Sequence, residues 1–293
     1  TVISGFLGSG KTTLLNRLIP AAGPVAVIVN EAGAVALDGR LVVGTTEEIV
    51  ELRDGCVCCT VRGDLAAAAR RLLERRRAWL RPLRFERVLV ECSGLASPGP
   101  VVQTFLLDPV LAGETRVDGV IAVASAADLP RQLAEDPVAA EQLAYADRVV
   151  LNHCDRGSFV PDTPAPIVRA VRCEVDPAPL LDLGGHSPRG WLVPPAHGAM
   201  HLVLRAGAVD LHRLKLFLQF VAARRTWSLL RLKGIFRCEG LARAVVAHGV
   251  FQWLELGPGD LDPPDESVLV LIGRGLDREE IERGWAVVAG LRG

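Results

Sequence analysis

The sequence lacks an apolar run long enough to cross a membrane, although apolar residues make up 49% of its 293 positions. A membrane-spanning helix needs about 20 consecutive apolar residues. A secretion signal is also missing from the first residues, because a strand-like segment at 1–3 opens directly into a glycine-rich loop. The composition therefore predicts a cytoplasmic protein with no membrane partner.

An excess of charge of either sign is missing as well. The formal net charge is −1, from 33 basic and 34 acidic residues. Nucleic acids and anionic membranes attract proteins through a positive field, which this balance does not provide. A helix predicted over residues 61–83 is rich in arginine, and we interpret it as a solvated face. We expect no nucleic-acid partner.

Lysine is scarce, since only Lys11, Lys215 and Lys233 occur. Lys11 belongs to residues 5–12, which fit the G-x-x-x-x-G-K-[ST] pattern of a phosphate-binding loop. The glycines let backbone N–H groups approach phosphate oxygens, and the anion would lie at a helix N-terminus. Lys11 would then contact the β- and γ-phosphates, and the Thr12 hydroxyl would bind Mg²⁺. A chance glycine-rich turn is the alternative, which the flanking strand and helix patterns disfavour.

A disulfide framework is not expected, because the chain has seven cysteines, an odd number. Three of them lie together at Cys56, Cys58 and Cys59. Three thiolates select a soft or borderline ion such as Zn²⁺ and leave a fourth tetrahedral position for another ligand. Buried unliganded cysteines, a redox pair and a catalytic cysteine are the alternatives. The tight spacing favours metal.

An apolar strand predicted from residue 87 ends in the acid Glu91, and Gly94 follows three residues later. In P-loop enzymes the acid at this position holds Mg²⁺ or orients the attacking water, and the glycine N–H contacts the γ-phosphate. We therefore nominate Lys11, Glu91 and Gly94 as catalytic residues. Thr12 and Glu91 are the candidate Mg²⁺ ligands.

Another predicted strand, residues 148–151, leads into Asn152-His153-Cys154-Asp155. Asn and Asp at this spacing are similar to the guanine-binding N-K-x-D element of GTPases. A carboxylate at Asp155 accepts two hydrogen bonds from guanine, whereas adenine has no such pair of donors, so GTP is favoured over ATP. His153 replaces the usual lysine, and an imidazole could also stack on the base. A turn and helix cap without a ligand is the alternative.

The order of elements predicts an α/β fold, with a P-loop NTPase domain on a mostly parallel sheet and a smaller α+β C-terminal domain. Glycine, proline and histidine become frequent near residues 182–200. We place the first domain at 1–182, a linker at 183–200 and the second domain at 201–293. The second domain is predicted to contain two helices and four strands, one of which spans residues 244–256.

Together these motifs resemble the CobW-type GTPase family, which includes nitrile hydratase activators and zinc chaperones. The most specific segments are G-C-V-C-C-T-V-R-G-D-L at 55–65 and E-C-S-G-L-A-S-P at 91–98. The resemblance implies a slow GTPase that binds Zn²⁺, or alternatively Co²⁺, at the C-x-C-C cysteines and delivers it to a client metalloprotein. It also implies nucleotide contacts from Gly8, Ser9, Gly10, Lys11, Thr12, Thr13, Asn152, His153 and Asp155.

The chain departs from the family pattern at several positions. The segment E-N-E-F-G-E appears as V-N-E-A-G-A at 29–34, so Glu31 is the acid left to nominate as a fourth metal ligand. Ser97 replaces an acid, and Asp176 replaces the Asn of an N-P-x-A segment. Two other functions stay open, a non-catalytic nucleotide- and metal-binding assembly module and a P-loop small-molecule kinase with structural cysteines. Self-association into a homo-oligomer is also open.

Overall fold

The computed structural model of the chain describes residues 1–30, 46–52, 60–80, 82–184, 200–224, 227–250, 253–259 and 261–290. The chain divides into two compact units, Thr1–Pro161 with Ala165–Gly185 and Asp162–Pro164 with His186–Gly293. Of the helices in the described residues, none has the length and apolar character that a membrane span requires.

The first unit is built on a seven-stranded sheet in which all paired neighbours are parallel. Its strands are β1 (Val2–Gly5), β2 (Val25–Asn30), β3 (Thr46–Leu52), β4 (Arg87–Glu91), β5 (Val120–Ser125), β6 (Arg148–Asn152) and β7 (Ile167–Arg169). They lie in the order β3-β2-β4-β1-β5-β6-β7. The loops that follow β1, β4, β5 and β6 therefore leave the same carboxyl edge, where ligands bind in such sheets.

Helices cover this sheet and close its core. They are α1 (Lys11–Leu18), α2 (Thr60–Arg77), α3 (Gly99–Leu107), α4 (Pro109–Glu114), α5 (Leu129–Glu135) and α6 (Pro137–Tyr145). Leu14 and Leu15 of α1 pack in one buried cluster with Ile3 of β1, and Leu129 and Leu143 of the later helices pack in another. Since both faces are buried, the strands have continuous apolar runs, as the sequence predicted.

The predicted end of the arginine-rich helix was wrong. Helix α2 ends at Arg77 rather than at residue 83. Pro82 lacks the N–H that a helix needs and disfavours helical geometry in the residue before it. The chain turns instead, so that the Leu83 N–H donates to the Arg75 carbonyl at 3.1 Å, and Leu83 and Phe85 are buried in the unit.

In its described residues, the second unit combines an antiparallel sheet with two helices. Its strands are β8 (Met200–Ala206), β9 (Ser228–Phe236), β10 (Val245–Val250), β11 (Trp253–Pro258) and β12 (Ser267–Arg274), in the order β11-β10-β9-β12-β8. Helices α7 (Leu211–Ala223) and α8 (Arg278–Val288) share one apolar core with the strands. At its centre, the Trp285 ring lies 5.6 Å from Phe217 and 6.3 Å from Phe236. These two units confirm the predicted fold class.

One predicted strand of this unit was wrong. Residues 244–256 contain two antiparallel strands, β10 and β11, with Val250 opposite Trp253. Phe251 and Gln252 stand between the two strands in the sequence, and no Asn-Gly or Asp-Gly pair marks a tight turn there. The described part of the second unit therefore has five strands rather than four.

Candidate functional site

The phosphate loop, residues 5–11, joins β1 to α1 and depends on glycine at position 10. Gly10 has φ 106°, in the left-handed region that side chains disfavour. A Cβ there would lie 2.6 Å from Asn152 Nδ2 and 3.0 Å from Cys173 Sγ. At Gly8, by contrast, a Cβ would meet nothing within 4 Å. The loop is thus packed against protein at Gly10 and open at Gly8.

The N-terminus of α1 suits an anion. Gly10 is its N-cap, and no side chain caps the first turn. Unpaired N–H groups and the helix dipole give such an end a partial positive charge. Lys11 adds a cation, and its Nζ donates to the Phe6 carbonyl at 3.1 Å. The glycine cradle, the uncapped turn and Lys11 together fit the phosphates of a nucleotide.

Two oxygen groups meet beside the loop. Thr12 Oγ1 donates a hydrogen bond to Glu91 Oε1 at 2.7 Å. Glu91 ends β4 and is 3% exposed, and β4 pairs with β1 so that Ile3 lies opposite Glu91. A hydroxyl and a carboxylate are the oxygen ligands that Mg²⁺ prefers. Residues 12 and 91 would hold the ion where it neutralises phosphate charge.

The loop after β4 contacts the phosphate loop. A Cβ at Gly94 would lie 2.6 Å from Leu7 Cδ2 and 2.8 Å from the Leu7 backbone nitrogen. From α6, the buried Gln142 donates through Nε2 to the carbonyls of Gly94 and Ala96, both at 3.1 Å. Gln142 therefore fixes the backbone around Gly94. Sequence analysis missed it, because a glutamine inside a helix belongs to no recognisable motif.

Asn152 connects three segments of the site. It is 1% exposed at the end of β6, and its Nδ2 donates to the Ser9 carbonyl at 2.9 Å. Its Oδ1 accepts from the Cys173 backbone N–H at 2.8 Å. The protein thus engages both ends of the amide, and Asn152 holds the phosphate loop against the chain after β7. A direct contact with guanine stays a prediction.

The other predicted base contacts follow in the loop after β6. His153 has φ 57° and places Nδ1 3.0 Å from Ser125 Oγ, at the end of β5. The Asp155 side chain is 45% exposed, with Arg156 Nε 3.7 Å from its carboxylate. An exposed carboxylate at this edge of the sheet can accept from two donors of a bound base. What the fold adds to this loop is the contact of His153 with Ser125 at the end of β5.

Comparison with known proteins identifies the chain. The model of the CobW/HypB/UreG nucleotide-binding domain matches residues 1–166, and that of the cobalamin synthesis protein cobW C-terminal domain matches residues 201–289. The chain belongs to the CobW family. The resemblance predicted from the motifs at 55–65 and 91–98 is therefore confirmed.

Relatives of this CobW-family chain are named as zinc chaperones. The zinc chaperone YjiA of Escherichia coli K12 is 30% identical over 319 residues, covering 100% of this chain and 98% of the relative. The zinc chaperone CobW of Sinorhizobium is 36% identical over 185 residues, covering 53% of this chain and 50% of the relative. The crystal structure of Zn(II)-bound YjiA GTPase from E. coli has a TM-score of 0.73 at 25% identity, covering 100% of this chain and 98% of that one.

Two buried cysteines lie in the first unit of this CobW-family chain. Cys173 has φ 54°, follows Arg172 at φ 51° and donates through Sγ to the Gly10 carbonyl at 3.4 Å. Burial raises the pKa of the Cys173 thiol to about 11 and that of Cys92 to about 12. Both thiols are protonated at neutral pH, unlike the thiolates that bind metals. Cys173 makes structural contacts with Asn152 and Gly10 that no sequence motif predicted.

The predicted metal ligands of the CobW domain lie outside the described residues. This applies to Cys56, Cys58, Cys59 and Glu31. Among the residues that the structure describes, no three His, Cys, Asp or Glu side chains come together in a metal-binding group. The C-x-C-C site therefore stays a prediction from the sequence.

Proposed function

We propose that this chain is a GTP-hydrolysing metal chaperone that delivers Zn²⁺, or alternatively Co²⁺, to a client metalloprotein under nucleotide control. Membership of the CobW family and the similarity over its full length to a relative named zinc chaperone YjiA support this function. Cys56, Cys58 and Cys59 are the proposed metal ligands, with Glu31 nominated as the fourth. Three thiolates suit Zn²⁺ better than a hard cation.

The proposal that the chain binds and hydrolyses GTP depends on the hydrogen bond from Thr12 to Glu91. It sets two Mg²⁺-type ligands beside a helix N-terminus that fits phosphate. Lys11 would contact the β- and γ-phosphates, Glu91 would orient the attacking water, and the Gly94 N–H would contact the γ-phosphate. Mg²⁺, when bound, would neutralise the charge that develops during hydrolysis.

The remaining nucleotide contacts are proposed by position. The backbone of residues 8–13, including the Ser9 and Thr13 N–H groups, would bind the phosphates. Asp155 would accept two hydrogen bonds from guanine, His153 would lie along the base, and Asn152 would complete the base site while it holds the phosphate loop.

We further propose a GTPase domain at 1–182, a linker at 183–200 and a C-terminal domain at 201–293 that helps to select the client. Residue 182 follows the last described element of the first unit, the short 3₁₀ turn Ala178–Leu180. The protein is proposed to act in the cytoplasm, because metal transfer to a client needs no membrane.

The end of β3, which precedes the cysteine segment in the sequence, lies two strands away from Glu91. Residues 53–59 follow β3, and β3 pairs with β2, which pairs with β4. In register, Glu51 lies opposite Val29 and Val29 lies opposite Glu91. Two strand spacings amount to about 10 Å. The short distance between Glu91 and the end of β3 supports the proposed coupling of metal binding to the nucleotide state.

Elemental analysis tests the proposed metal binding, and phosphate release separately tests the proposed GTP hydrolysis. Protein purified without added metal should carry about one zinc per chain, and the Cys56/Cys58/Cys59→Ser variant should carry none. Cys238→Ser, in the core of the second unit, is the matched control for loss of a thiol. Phosphate release from GTP should be lost in Lys11→Ala. Nucleotide binding without turnover would indicate an assembly module, and ATP preference without zinc would indicate a kinase.

A further inference from the structure

A hydroxyl connects two side chains at the end of β5. Ser125 is fully buried, and its Oγ donates to Asp128 Oδ2 at 2.8 Å. The Asp128 backbone N–H donates to the same Oγ at 3.3 Å, and His153 Nδ1 lies 3.0 Å from it. The three residues thus form a chain of hydrogen bonds that ends on the imidazole.

This arrangement assigns the proton on the imidazole. A serine hydroxyl has one hydrogen, and a carboxylate only accepts. Because Ser125 gives its hydrogen to Asp128, Ser125 must accept from Nδ1 of His153, and Nδ1 must carry a proton. In the neutral ring, Nε2 then keeps a lone pair. Within the described part of the chain, Nε2 makes no hydrogen bond.

The loops after β5 and β6 are also packed together, which fixes the backbone that carries the imidazole of His153. The Ala126 N–H donates to the Asn152 carbonyl at 2.8 Å. A Cβ at Gly157 would lie 2.5 Å from the Ala126 carbonyl oxygen, so only glycine allows this approach. Asp128 is the N-cap of α5, yet its side chain makes no cap hydrogen bond. Its carboxylate contacts Ser125 instead.

We propose that Ser125 and Asp128 are positioning residues of the nucleoside site, which hold His153 with Nδ1 protonated and Nε2 available as an acceptor. The inference rests on the proposed guanine-nucleotide function and adds a specificity element to it. A lysine at this position offers three donors and no acceptor. His153 instead suits a donor on the nucleotide, such as a ribose hydroxyl.

Nitrogen NMR of the ¹⁵N-labelled full chain tests the proton assignment without nucleotide. The chain has six histidines, and the spectrum of His153→Gln identifies the signals of His153. In alkaline buffer, where neutral rings dominate, the wild type should show a protonated Nδ1. In Asp128→Ala, Ser125 can turn its hydrogen toward Nδ1, so the proton should shift to Nε2. Ser158→Ala, at an exposed serine in the same loop, should leave the signals unchanged.

Binding of a fluorescent GDP analogue tests the positioning role. Loss of one hydrogen bond in Ser125→Ala should weaken binding about fivefold. The same substitution in a His153→Lys background should change binding little, because lysine does not use Ser125. Ser158→Ala is again the matched control. This dependence on His153 separates a positioning role from general loss of structure.

Two results would overturn the inference. One is a wild-type His153 with a protonated Nε2 and an unprotonated Nδ1. The other is equal weakening by Ser125→Ala in the wild-type and His153→Lys backgrounds. A wild type that binds no GDP would defeat the proposed function itself, whereas tight GDP binding with no coupling between the substitutions would defeat only this inference.

Discussion

Replacement of Asn152 by alanine should lower the stability of the first unit, whether or not Asn152 also contacts a base. The substitution removes the donor to the Ser9 carbonyl and the acceptor for the Cys173 N–H. Ser9 and Cys173 are both fully buried, so water cannot replace the lost partners. The phosphate loop would also lose its link through Asn152 to the chain after β7 and keep the contact of Cys173 Sγ with the Gly10 carbonyl.

The expected cost follows from the two orphaned groups. A buried donor or acceptor left without a partner costs about 1–3 kcal/mol, so Asn152→Ala should cost about 3 kcal/mol in unfolding free energy. For a domain of this size, each kcal/mol lowers the melting temperature by roughly 2–4 °C. We therefore expect a decrease of roughly 6–12 °C. Asn152→Asp keeps the acceptor for Cys173 but sets a buried carboxylate oxygen against the Ser9 carbonyl, and should give at least as large a loss.

Thermal unfolding and GDP binding distinguish the structural role of Asn152 from a role in base binding. Asp155→Ala is the matched control, because its side chain is 45% exposed. It should keep the melting temperature and lose the preference for GDP over ADP. If Asn152→Ala melts with the wild type and loses only guanine affinity, then Asn152 acts as a base contact and the structural argument is refuted.

Three further predictions follow from the buried groups of the site. Gln142→Ala releases the Gly94 and Ala96 carbonyls, so GTP turnover should fall about tenfold with GDP affinity retained; unchanged phosphate release would contradict this. Gly94→Ala, which would set a Cβ 2.6 Å from Leu7, should also lose turnover. Burial raises the pKa of the Cys92 thiol from 9.0 to about 12. The contribution of this thiol to the free energy of unfolding should therefore be complete below pH 9.0 and be lost as the pH rises toward 12. In urea unfolding, Cys92→Ala should lack this decline in stability at alkaline pH.

Patterns that repeat locally allowed much of the fold to be predicted. Apolar runs of strand length predicted the buried parallel strands, such as residues 25–29 within β2, because burial on both faces requires them. The end of α2 was misplaced because Pro82 acts on the backbone before it, within an otherwise helical pattern. The turn between β10 and β11 carries no glycine or proline signal at its centre, so only antiparallel pairing shows it.

The candidate site was predictable where chemistry follows a motif. Thr12 and Glu91 come from separate segments, and the structure places them 2.7 Å apart. The supporting contacts of Gln142, Ser125 and Cys173 depend on tertiary packing. These residues lie on α6, at the end of β5 and after β7, and no sequence motif links them to the segments that they contact.

The most direct test of the central claim is the Zn²⁺ affinity of the full chain with a non-hydrolysable GTP analogue and with GDP, measured by competition with a chromogenic chelator. Coupling of the two sites predicts affinities that differ by at least about fivefold. The Cys56/Cys58/Cys59→Ser variant should compete poorly with the chelator for Zn²⁺, whichever nucleotide is bound. Equal Zn²⁺ affinities in the two nucleotide states of the wild type would contradict the account.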